Sequence, residues 1–348
     1  MVFLLGLAIV LYTVGGRLGI ARRNRLTAIS FAYVLVLCIQ LTLPVGHPIR
    51  EATGGSAAPW AILGGTAALF VLYRWALSAL RVKADGKETS VEAGKSDILM
   101  REELERYARH IVLREIGGPG QKAFKNAKVL VIGAGGLGSP ALQYLAAAGV
   151  GTIGVIDNEL VENANLQRQI IHLDQSIGIP KVFSAQSAML AQNPYIEVKP
   201  YHKRLEKEIA EDLFAEYDVI LEGSDNFETR YLTNQTACKL RLPMVSGALS
   251  QWEGQIAVFD AASGGPCYQC IFPEAPALGL TPSCAEAGVF APLPGVIGSM
   301  MAAETLKVIA HSGDVLRKDM LIFDALYGET RKIAIQKRND CPICGNAA

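Results

Sequence analysis

Four cysteines form two CxxC pairs, Cys267 with Cys270 and Cys341 with Cys344, and 70 residues separate the pairs. Two such pairs supply four thiolates, which is the ligand set of a closed tetrahedral zinc site. A redox-active CxxC is expected once and near the start of a helix, and disulfides are rare in the cytosol. The spacing therefore predicts a structural Zn²⁺ site that stabilises the carboxy-terminal segment and takes no part in catalysis.

A glycine-rich segment follows a hydrophobic run and precedes a helical pattern. Its glycines are Gly133, Gly135, Gly136 and Gly138, and an acidic residue, Asp157, lies 19 residues after the last of them. Glycines let a phosphate approach the backbone at a helix N-terminus, and the acid is suitably placed for ribose hydroxyls. The segment predicts a nucleotide site, which by itself would fit an NAD-dependent dehydrogenase equally well.

Polar and basic residues further along the chain favour a nucleotide triphosphate. Asn165 and Arg168 occur where a ribose phosphate would lie, and Lys181 stands at a predicted helix start. Basic side chains aimed at a triphosphate suit charge that develops at phosphorus, whereas hydride transfer has no such need. Asp225 ends a predicted buried strand, where a carboxylate could hold Mg²⁺. Taken singly, each of these residues could equally be a surface charge or a helix cap.

The other cysteines and the histidines give weaker signals. Cys284 lies in a polar, turn-rich stretch, where an exposed thiol could be a nucleophile or a bystander. Cys238 falls in a predicted helix over Thr229–Leu240 and is expected to be buried as a small apolar residue. None of the five histidines has a spacing typical of a metal site or a catalytic triad.

Alternating strand and helix patterns surround these residues. The predicted strands are Lys128–Ile132, Gly151–Ile156, Ile196–Tyr201, Asp218–Leu221, Met244–Ala248 and Gly254–Asp260. The predicted helices, besides the one that carries Cys238, are Ser139–Ala148, Lys181–Gln192 and Lys207–Phe214. Such alternation predicts an α/β, Rossmann-like fold with helices on both faces of a parallel sheet. The strand-like runs beyond Pro243 predict a mixed-sheet extension.

The composition divides the chain into two unlike parts. The 348 residues include 33 basic and 33 acidic side chains, so the formal net charge is zero, and half of the residues are hydrophobic. Residues 1–82 hold seven arginines, no lysine and a single acid, Glu51, so this part carries +6 and the remainder −6. The composition excludes a disordered chain, a coiled coil and an evident nucleic-acid-binding protein.

Three apolar stretches in the first part predict membrane-spanning helices at about residues 2–20, 26–46 and 56–80. Arginines cluster after the first and third stretches, which places those junctions in the cytoplasm and the amino terminus outside. The predicted protein is therefore a multi-pass protein of the cell (inner) membrane. Residues 83–100 form a polar linker, and residues 101–348 form a cytoplasmic catalytic domain.

Several motifs occur together in the order of one known family. They are Arg106-Tyr-Ala-Arg109-His-Ile-Val-Leu, Gly133-Ala-Gly-Gly-Leu-Gly-Ser, Asn165-Leu-Gln-Arg-Gln, Gly178-Ile-Pro-Lys181, Ser224-Asp-Asn226, the two CxxC pairs, and the run from Glu286 to Ser299. Over about residues 101–346 the chain resembles the MoeB/ThiF adenylyltransferases, which are relatives of the ubiquitin-activating enzymes. It is most similar to the molybdopterin-synthase branch of that family.

The resemblance implies a homodimer that uses ATP and Mg²⁺ to adenylate the C-terminal Gly-Gly carboxylate of a ubiquitin-like sulfur carrier in molybdenum cofactor biosynthesis. It assigns phosphate binding to Gly135 and its neighbours, and ribose binding to Asp157. Arg109 would reach into the partner subunit's ATP site. The residues around the phosphates, the magnesium ligand and the zinc ligands would be Asn165, Arg168, Lys181, Asp225, Cys267, Cys270, Cys341 and Cys344.

Some features depart from the family pattern or leave a role open. Glu159 stands where many members have Asp, and a three-helix anchor is not usual. Cys284 aligns with a cysteine that carries a thioester or persulfide in some relatives. No sulfurtransferase-like extension follows Cys344, so sulfur is expected from a separate sulfurtransferase or cysteine desulfurase.

Three other functions remain open at this point. The same chemistry could act on a carrier of thiamine (thiazole) synthesis or of tRNA thiolation. A membrane-bound nucleotide-binding scaffold without catalysis is an alternative of another class, against which the joint presence of Arg109, Arg168, Lys181 and Asp225 argues. An NAD-dependent oxidoreductase is the least favoured of the three.

Overall fold

The computed structural model describes residue 13 and residues 22–85, 99–276 and 287–345. The chain divides into two units, Met1–Gly94 and Lys95–Ala348. The described part of the first unit is helical, whereas the second unit contains an eight-stranded sheet with helices.

The first unit contains a helical hairpin. Its helices are α1 (Arg22–Thr42), α2 (Pro48–Ala52) and α3 (Ala58–Asp85). The hydroxyl of Tyr33 in α1 donates to the carbonyl of Trp60 in α3 at 2.6 Å. A Cβ at Gly64 would lie 2.0 Å from the Tyr33 hydroxyl oxygen, so glycine permits this close approach of the two helices. Gln40 donates to Thr53 at 2.7 Å and links α1 to the connection between the helices.

The structure does not support the predicted three-span anchor. Helices occupy most of the second and third predicted spans, while all of the first except Thr13 lies outside the described residues. Within the described residues, the only helix long and apolar enough to cross a membrane is Pro292–Ala310, and half of its apolar stretch is buried inside the protein. Thr27–Thr42 is apolar but shorter. Helix α3 continues to Asp85, which is within the first residues of the predicted linker.

The second unit is built on one mixed sheet, in the strand order β3-β2-β1-β4-β5-β6-β7-β8. The strands are β1 (Lys128–Ile132), β2 (Thr152–Ile156), β3 (Glu197–Tyr201), β4 (Val219–Glu222), β5 (Met244–Leu249), β6 (Glu253–Phe259), β7 (Asp319–Asp324) and β8 (Glu329–Ala334). The first five strands are parallel, and β6, β7 and β8 are added antiparallel. The predicted α/β fold with a mixed-sheet extension is confirmed.

Nine further helices accompany the sheet in the described part of this unit. They are α4 (Arg101–Arg106), α5 (Ala108–Ile111), α6 (Gly117–Asn126), α7 (Gly138–Ala148), α8 (Lys181–Gln192), α9 (Lys207–Phe214), α10 (Phe227–Lys239), α11 (Tyr268–Ile271) and α12 (Pro292–Ala310). The helix expected at Thr229–Leu240 therefore begins earlier, because Asn226 caps it by accepting from the backbone N–H of Thr229 at 2.9 Å.

Alternate residues of β1 belong to two separate cores. Val129 and Val131 pack with α7, α8 and α12, whereas Leu130 and Ile132 pack with α9 and α10. Side chains of a strand alternate between the two faces of its sheet, so a run that is buried on both faces is hydrophobic throughout. This explains why the central strands read as continuous apolar segments in the sequence.

The strand order reverses at β1. The chain runs outward from β1 to β2 and β3, then returns to place β4 on the other side of β1. In such sheets ligands bind beyond the carboxyl ends of the strands at the switch point. The glycine segment follows β1 and Ser224-Asp-Asn226 follows β4, so both motifs lie at this position.

Candidate functional site

The glycine segment after β1 forms a tight turn into α7. Gly133 has φ +92, a conformation that L side chains rarely adopt, and a Cβ at Gly138 would lie 1.9 Å from the Gly133 carbonyl oxygen. At Gly135 a Cβ would meet nothing closer than the Gln169 amide at 3.7 Å. Two glycines are therefore required by the turn itself, whereas Gly135 leaves space into which a phosphate could come close to the backbone.

Two other segments pack against this turn. A Cβ at Gly136 would lie 3.1 Å from Pro294 of α12, and one at Gly133 would lie 3.2 Å from the carbonyl oxygen of Gly223. The glycine turn thus contacts both the first turn of α12 and the segment after β4. The motifs of the predicted nucleotide site are brought together around one turn.

Asp157 links the end of β2 to the glycine turn. One carboxylate oxygen accepts from the backbone N–H of Ala134 at 2.8 Å and the other from that of Glu159 at 2.8 Å. Burial raises the pKa of Asp157, while the two N–H donors and the charge of Lys181 act in the opposite direction. The carboxylate lies beside the turn, where the sequence predicted a ribose ligand.

Lys181 begins α8 and is almost fully buried. Only 2% of its side chain is exposed, and its Nζ donates to the carboxylate of Glu159 in an ion pair. The backbone N–H of the same Glu159 donates to the Asp157 carboxylate at 2.8 Å, and the charge of Lys181 acts on Asp157 and His172. The buried ammonium is therefore held at the edge of the glycine turn, with Glu159 as a partner that the sequence did not reveal.

Asn165 and Arg168 share a short 3₁₀ segment and the turn after it. The Arg168 guanidinium donates to the Asn165 side-chain oxygen at 3.0 Å, and a Cβ at Gly136 would lie 3.8 Å from the Arg168 stem. The aliphatic stem of Arg168 thus lies beside the glycine turn, while Asn165 fixes the direction of the guanidinium. Arg168 therefore lies at the same glycine turn that Asp157 contacts.

The segment that carries Asp225 is fixed by a buried acid. Glu222, the last residue of β4, has no exposed surface and accepts from the backbone N–H of Ser224 at 2.8 Å and from the Ser246 hydroxyl at 3.0 Å. The Ser224 hydroxyl also donates to it. Asp225 itself is exposed, next to the glycine turn through Gly223. Glu222 and Ser246 were not among the residues identified from the sequence.

Two residues with predicted roles are not joined to this cluster. Arg109 lies exposed on α5 and makes no hydrogen bond or ion pair with any residue that the structure describes. Cys284 lies outside the described residues. Their predicted roles, in a partner subunit's site and as a thiol carrier, stay predictions.

His172 hydrogen-bonds to the glycine turn through Ala134 and was not identified from the sequence. Its imidazole is 5% exposed and lies 2.9 Å from both the Ala134 carbonyl oxygen and the Ser184 hydroxyl. Since a carbonyl can only accept, Nε2 carries the proton and Nδ1 accepts from Ser184, one turn after Lys181 in α8. A lone histidine without the spacing of a metal site or a triad has no sequence signal for such a role.

Burial lowers the pKa of His172, although the hydrogen bond to Ala134 opposes the shift. Below about pH 6.5 the unfolded chain then binds a proton that the folded chain does not. We expect stability to fall as the pH drops from 7 to 5, by at most about 1.4 kcal/mol per pH unit from this group. His172→Gln should flatten the slope in urea unfolding followed across this range.

The control for this experiment is His202→Gln, which changes an exposed histidine and should keep the wild-type slope. Equal slopes in all three proteins would show that His172 is not the group that titrates. A steeper slope in His172→Gln would contradict the sign of the shift.

The four cysteines of the CxxC pairs meet in one buried cluster. Their sulfur atoms all lie within 4.8 Å of one another, with Sγ–Sγ distances of 3.9 Å for Cys267–Cys270, 3.6 Å for Cys267–Cys341 and 3.3 Å for Cys270–Cys344. Tetrahedral zinc with bonds of about 2.3 Å places its sulfurs about 3.8 Å apart. The cluster fits a zinc ion, and the predicted convergence of the four thiols is confirmed.

The surroundings of the cluster shift the pKa values of its thiols in both directions. The backbone N–H of Arg338 donates to Cys270 Sγ at 3.4 Å. Burial raises the pKa of Cys270 and Cys344. At Cys341, backbone N–H groups and hydrogen bonds from the neighbouring thiols together outweigh burial and lower the pKa to about 7. Cys238, which was expected to be buried as a small apolar residue, packs against the cluster and is half-buried.

Fold and site together define a nucleotide-binding α/β protein with a structural four-cysteine site. The ThiF family model matches residues 107–343, and the chain belongs to the ThiF family.

Similar proteins agree with this assignment. The chain is 47% identical over 250 residues to the sulfur carrier protein adenylyltransferase of Thermus thermophilus, covering 71% of this chain and 92% of that protein. It is 42% identical over 243 residues to the SAMP-activating enzyme E1 of Haloferax volcanii, covering 70% and 89%. A probable adenylyltransferase/sulfurtransferase, MoeZ, of Mycobacterium tuberculosis is 47% identical, and the chain spans 63% of its length. The predicted enzyme class, an adenylyltransferase, is confirmed by these relatives.

Solved structures support the same fold. The crystal structure of E. coli MccB with ATP has a TM-score of 0.60 at 22% identity, covering 69% of this chain and 75% of that one. The crystal structure of PaaA has a TM-score of 0.61 at 21% identity, covering 75% and 82%.

Proposed function

We propose that the protein activates a ubiquitin-like sulfur carrier by adenylating its C-terminal Gly-Gly carboxylate with ATP. The carrier is of the molybdopterin-synthase small-subunit type, and the acyl-adenylate later receives sulfur from a separate sulfurtransferase or cysteine desulfurase. The observation that carries this proposal is that the glycine turn packs against Arg168 and the segment that leads into Asp225, while Lys181 is connected to the turn through Glu159 and Asp157. The relative named a sulfur carrier protein adenylyltransferase supports the choice of substrate.

The reaction needs little covalent help from the protein. A carboxylate oxygen of the carrier attacks the α-phosphorus of ATP, a new O–P bond forms, and the bond to the bridging oxygen breaks as pyrophosphate leaves with the electron pair. A carboxylate is a weak nucleophile, so positioning and neutralisation of phosphate charge account for most of the rate. Lys181 supplies a buried positive charge and Arg168 a planar guanidinium with several donors.

The remaining groups of the site have supporting roles in this proposal. The backbone at Gly135 and the N-terminus of α7 face the phosphates, and Asp157 binds the ribose hydroxyls. Asp225 is the carboxylate that would hold Mg²⁺, an ion that would neutralise phosphate charge when bound. The four cysteines would hold zinc away from the reacting atoms.

Carrier-dependent exchange of labelled pyrophosphate into ATP tests the proposal. We expect exchange only when a protein that ends in Gly-Gly is present, and a loss of about 100-fold or more in Asp225→Ala. Mass spectrometry of the trapped adenylate identifies the carrier, and a thiazole-pathway or tRNA-thiolation carrier would correct the specificity. Absence of exchange with every carrier, together with retained ATP binding, would indicate a nucleotide-binding scaffold instead.

A homodimer completes the proposed enzyme. Arg109 has no partner among the described residues, and Val112 beside it is 76% exposed, as is typical of an interface that one protomer leaves uncovered. Ile170 and Leu173, which follow Arg168, are also more than half exposed. In the proposed dimer, Arg109 reaches the ATP of the partner subunit.

A mixture of the inactive variants Arg109→Ala and Lys181→Met should then regain activity, and a monomer in light scattering would refute the arrangement.

Membrane attachment through the first unit is the last part of the proposal. Phe31, Leu41, Ile62 and Leu69 are between 68% and 72% exposed on α1 and α3. Such apolar surface on a helical hairpin suits a bilayer, with the catalytic domain in the cytoplasm where ATP is available. The full chain should stay in the membrane pellet after washing with alkaline carbonate, and its release would contradict attachment.

A further inference from the structure

Arg230 is a buried cation that the proposed reaction does not use directly. It lies in the first turn of α10, and only 7% of it is exposed. Its guanidinium lies 3.8 Å from the carboxylate of Glu222, which has no exposed surface. Two opposite charges withdrawn from water are costly unless their remaining donors and acceptors are satisfied. The contacts of Arg230 therefore indicate what this pair does in the fold.

The guanidinium of Arg230 joins three parts of the chain. It donates to the Ser224 carbonyl oxygen at 2.7 Å, in the segment after β4, and to the Gly247 carbonyl oxygen at 3.1 Å, in β5. The Tyr268 hydroxyl also interacts electrostatically with this guanidinium. Since the carbonyl of Ser224 belongs to the peptide bond that leads into Asp225, Arg230 holds the backbone directly before the exposed carboxylate.

Tyr268 connects this arrangement to the four-cysteine cluster. It stands between Cys267 and Cys270 in the sequence and is 2% exposed. Its ring packs edge-on against Phe259 at 5.6 Å and Tyr231 at 5.5 Å, so its position is fixed independently of its hydroxyl. The backbone of the CxxC pair thereby helps to fix the aromatic ring whose hydroxyl acts electrostatically on the Arg230 guanidinium.

We infer that Arg230 is a positioning residue for Asp225 and that the Tyr268 hydroxyl, held by the four-cysteine cluster, orients Arg230. The inference deepens the proposed function and rests on it only in taking Asp225 as the ligand of the ATP-bound metal. Neither Arg230 nor Tyr268 contacts the substrate in this proposal. A further role of the cysteine cluster follows, because it sets the geometry of the segment after β4 as well as stabilising its own region.

Conservative variants separate positioning from stability. Arg230→Ala would leave Glu222 as an unpaired buried charge and endanger the fold, so the informative changes are Arg230→Lys and Tyr268→Phe. Lysine keeps the charge but cannot make the same set of directed hydrogen bonds, and phenylalanine removes only a hydroxyl. Tyr231→Phe is the matched control, because it removes a hydroxyl from the same aromatic cluster that donates to the Phe272 carbonyl instead.

Two readouts are expected to move in Arg230→Lys and Tyr268→Phe but not in Tyr231→Phe. Hydrogen exchange of the Ser224 amide, followed by mass spectrometry of full-length protein, should speed up at least tenfold. The half-saturating Mg²⁺ concentration for pyrophosphate exchange should rise by about tenfold, which corresponds to about 1.4 kcal/mol. The zinc content should stay at that of the wild type, and the thermal midpoint should stay within about 4 °C.

The outcomes distinguish this inference from the proposed function. If Tyr268→Phe and Arg230→Lys match Tyr231→Phe in amide exchange and Mg²⁺ dependence, the positioning role is refuted. If the wild type catalyses no exchange with any carrier, the proposed function fails, while the amide measurement still decides whether Arg230 and Tyr268 fix the segment. Equal falls in thermal midpoint and zinc content without a change in Mg²⁺ dependence would show a purely structural role.

Discussion

Lys181→Met should lower carrier-dependent pyrophosphate exchange by about 1000-fold while the protein stays folded. Methionine retains an unbranched stem for the buried cavity that the lysine side chain fills, but it removes the charge that lies beside Asp157 and the glycine turn. The lost ion pair contributes little to stability, because Glu159 is 61% exposed and such pairs contribute about 1 kcal/mol or less. Initial rates at saturating ATP and carrier give the measurement.

Lys199→Met provides the matched control for this variant. Lys199 also forms an ion pair, with Glu216 at 3.0 Å, but it lies on β3 with 37% of its side chain exposed. Its loss should leave the exchange rate unchanged. If Lys181→Met retained a rate within about threefold of the wild type, a difference of about 0.7 kcal/mol, the buried ammonium could not be a principal source of charge neutralisation.

Replacing Cys341 by serine should remove zinc from the protein and destabilise the second unit by several kcal/mol. Structural zinc contributes its binding energy directly to folding, about 10–16 kcal/mol in small zinc peptides. The cluster joins residues 74 positions apart, so its loss frees a long segment that includes β7 and β8. We expect about one zinc per chain in the wild type by elemental analysis, much less in Cys341→Ser, and a thermal midpoint lower by about 10 °C or more.

Cys238→Ser tests whether the loss of zinc and of stability is specific to the four ligand cysteines. This fifth thiol packs against the cluster and lies 3.7 Å from the Asn234 side-chain oxygen. Its variant should keep the zinc content of the wild type and most of its stability. Zinc retained in Cys341→Ser, or lost equally in Cys238→Ser, would contradict the assignment of the ligands.

The parts of the fold that could be predicted are those encoded locally. The apolar run of β1, the glycine turn and the start of α7 follow one another in the sequence, so their geometry is specified by adjacent residues. The cysteine pairs are an exception, because two CxxC pairs predict a shared zinc site however far apart they are in the sequence. Strand limits shifted by a residue, as at β4, which ends at Glu222 rather than Leu221.

The parts that could not be predicted depend on contacts across the fold. Buried Glu222 finds a hydrogen-bond donor only because β5 places Ser246 beside it. His172 contacts the glycine turn and α8 only because the fold places Ala134 and Ser184 on either side of its ring. A polar residue in such a network has the same sequence signal as a surface residue. The predicted three-span anchor is not supported by the structure for another reason. Hydropathy measures the composition of a segment and cannot show what packs around a helix.

The contact between α12 and the glycine turn has a consequence for how the protein folds during its synthesis. Ribosomes synthesise the turn at Gly136 long before Pro294, which packs on it, and before the cysteine pair at Cys341 and Cys344. A growing chain can therefore close β1, β2 and α7 early, while the surface that α12 covers stays bare. The glycine turn is fully packed only when this late helix is in place, so a nascent chain that stops before Pro292 contains every glycine of the turn and still lacks the helix that packs on it.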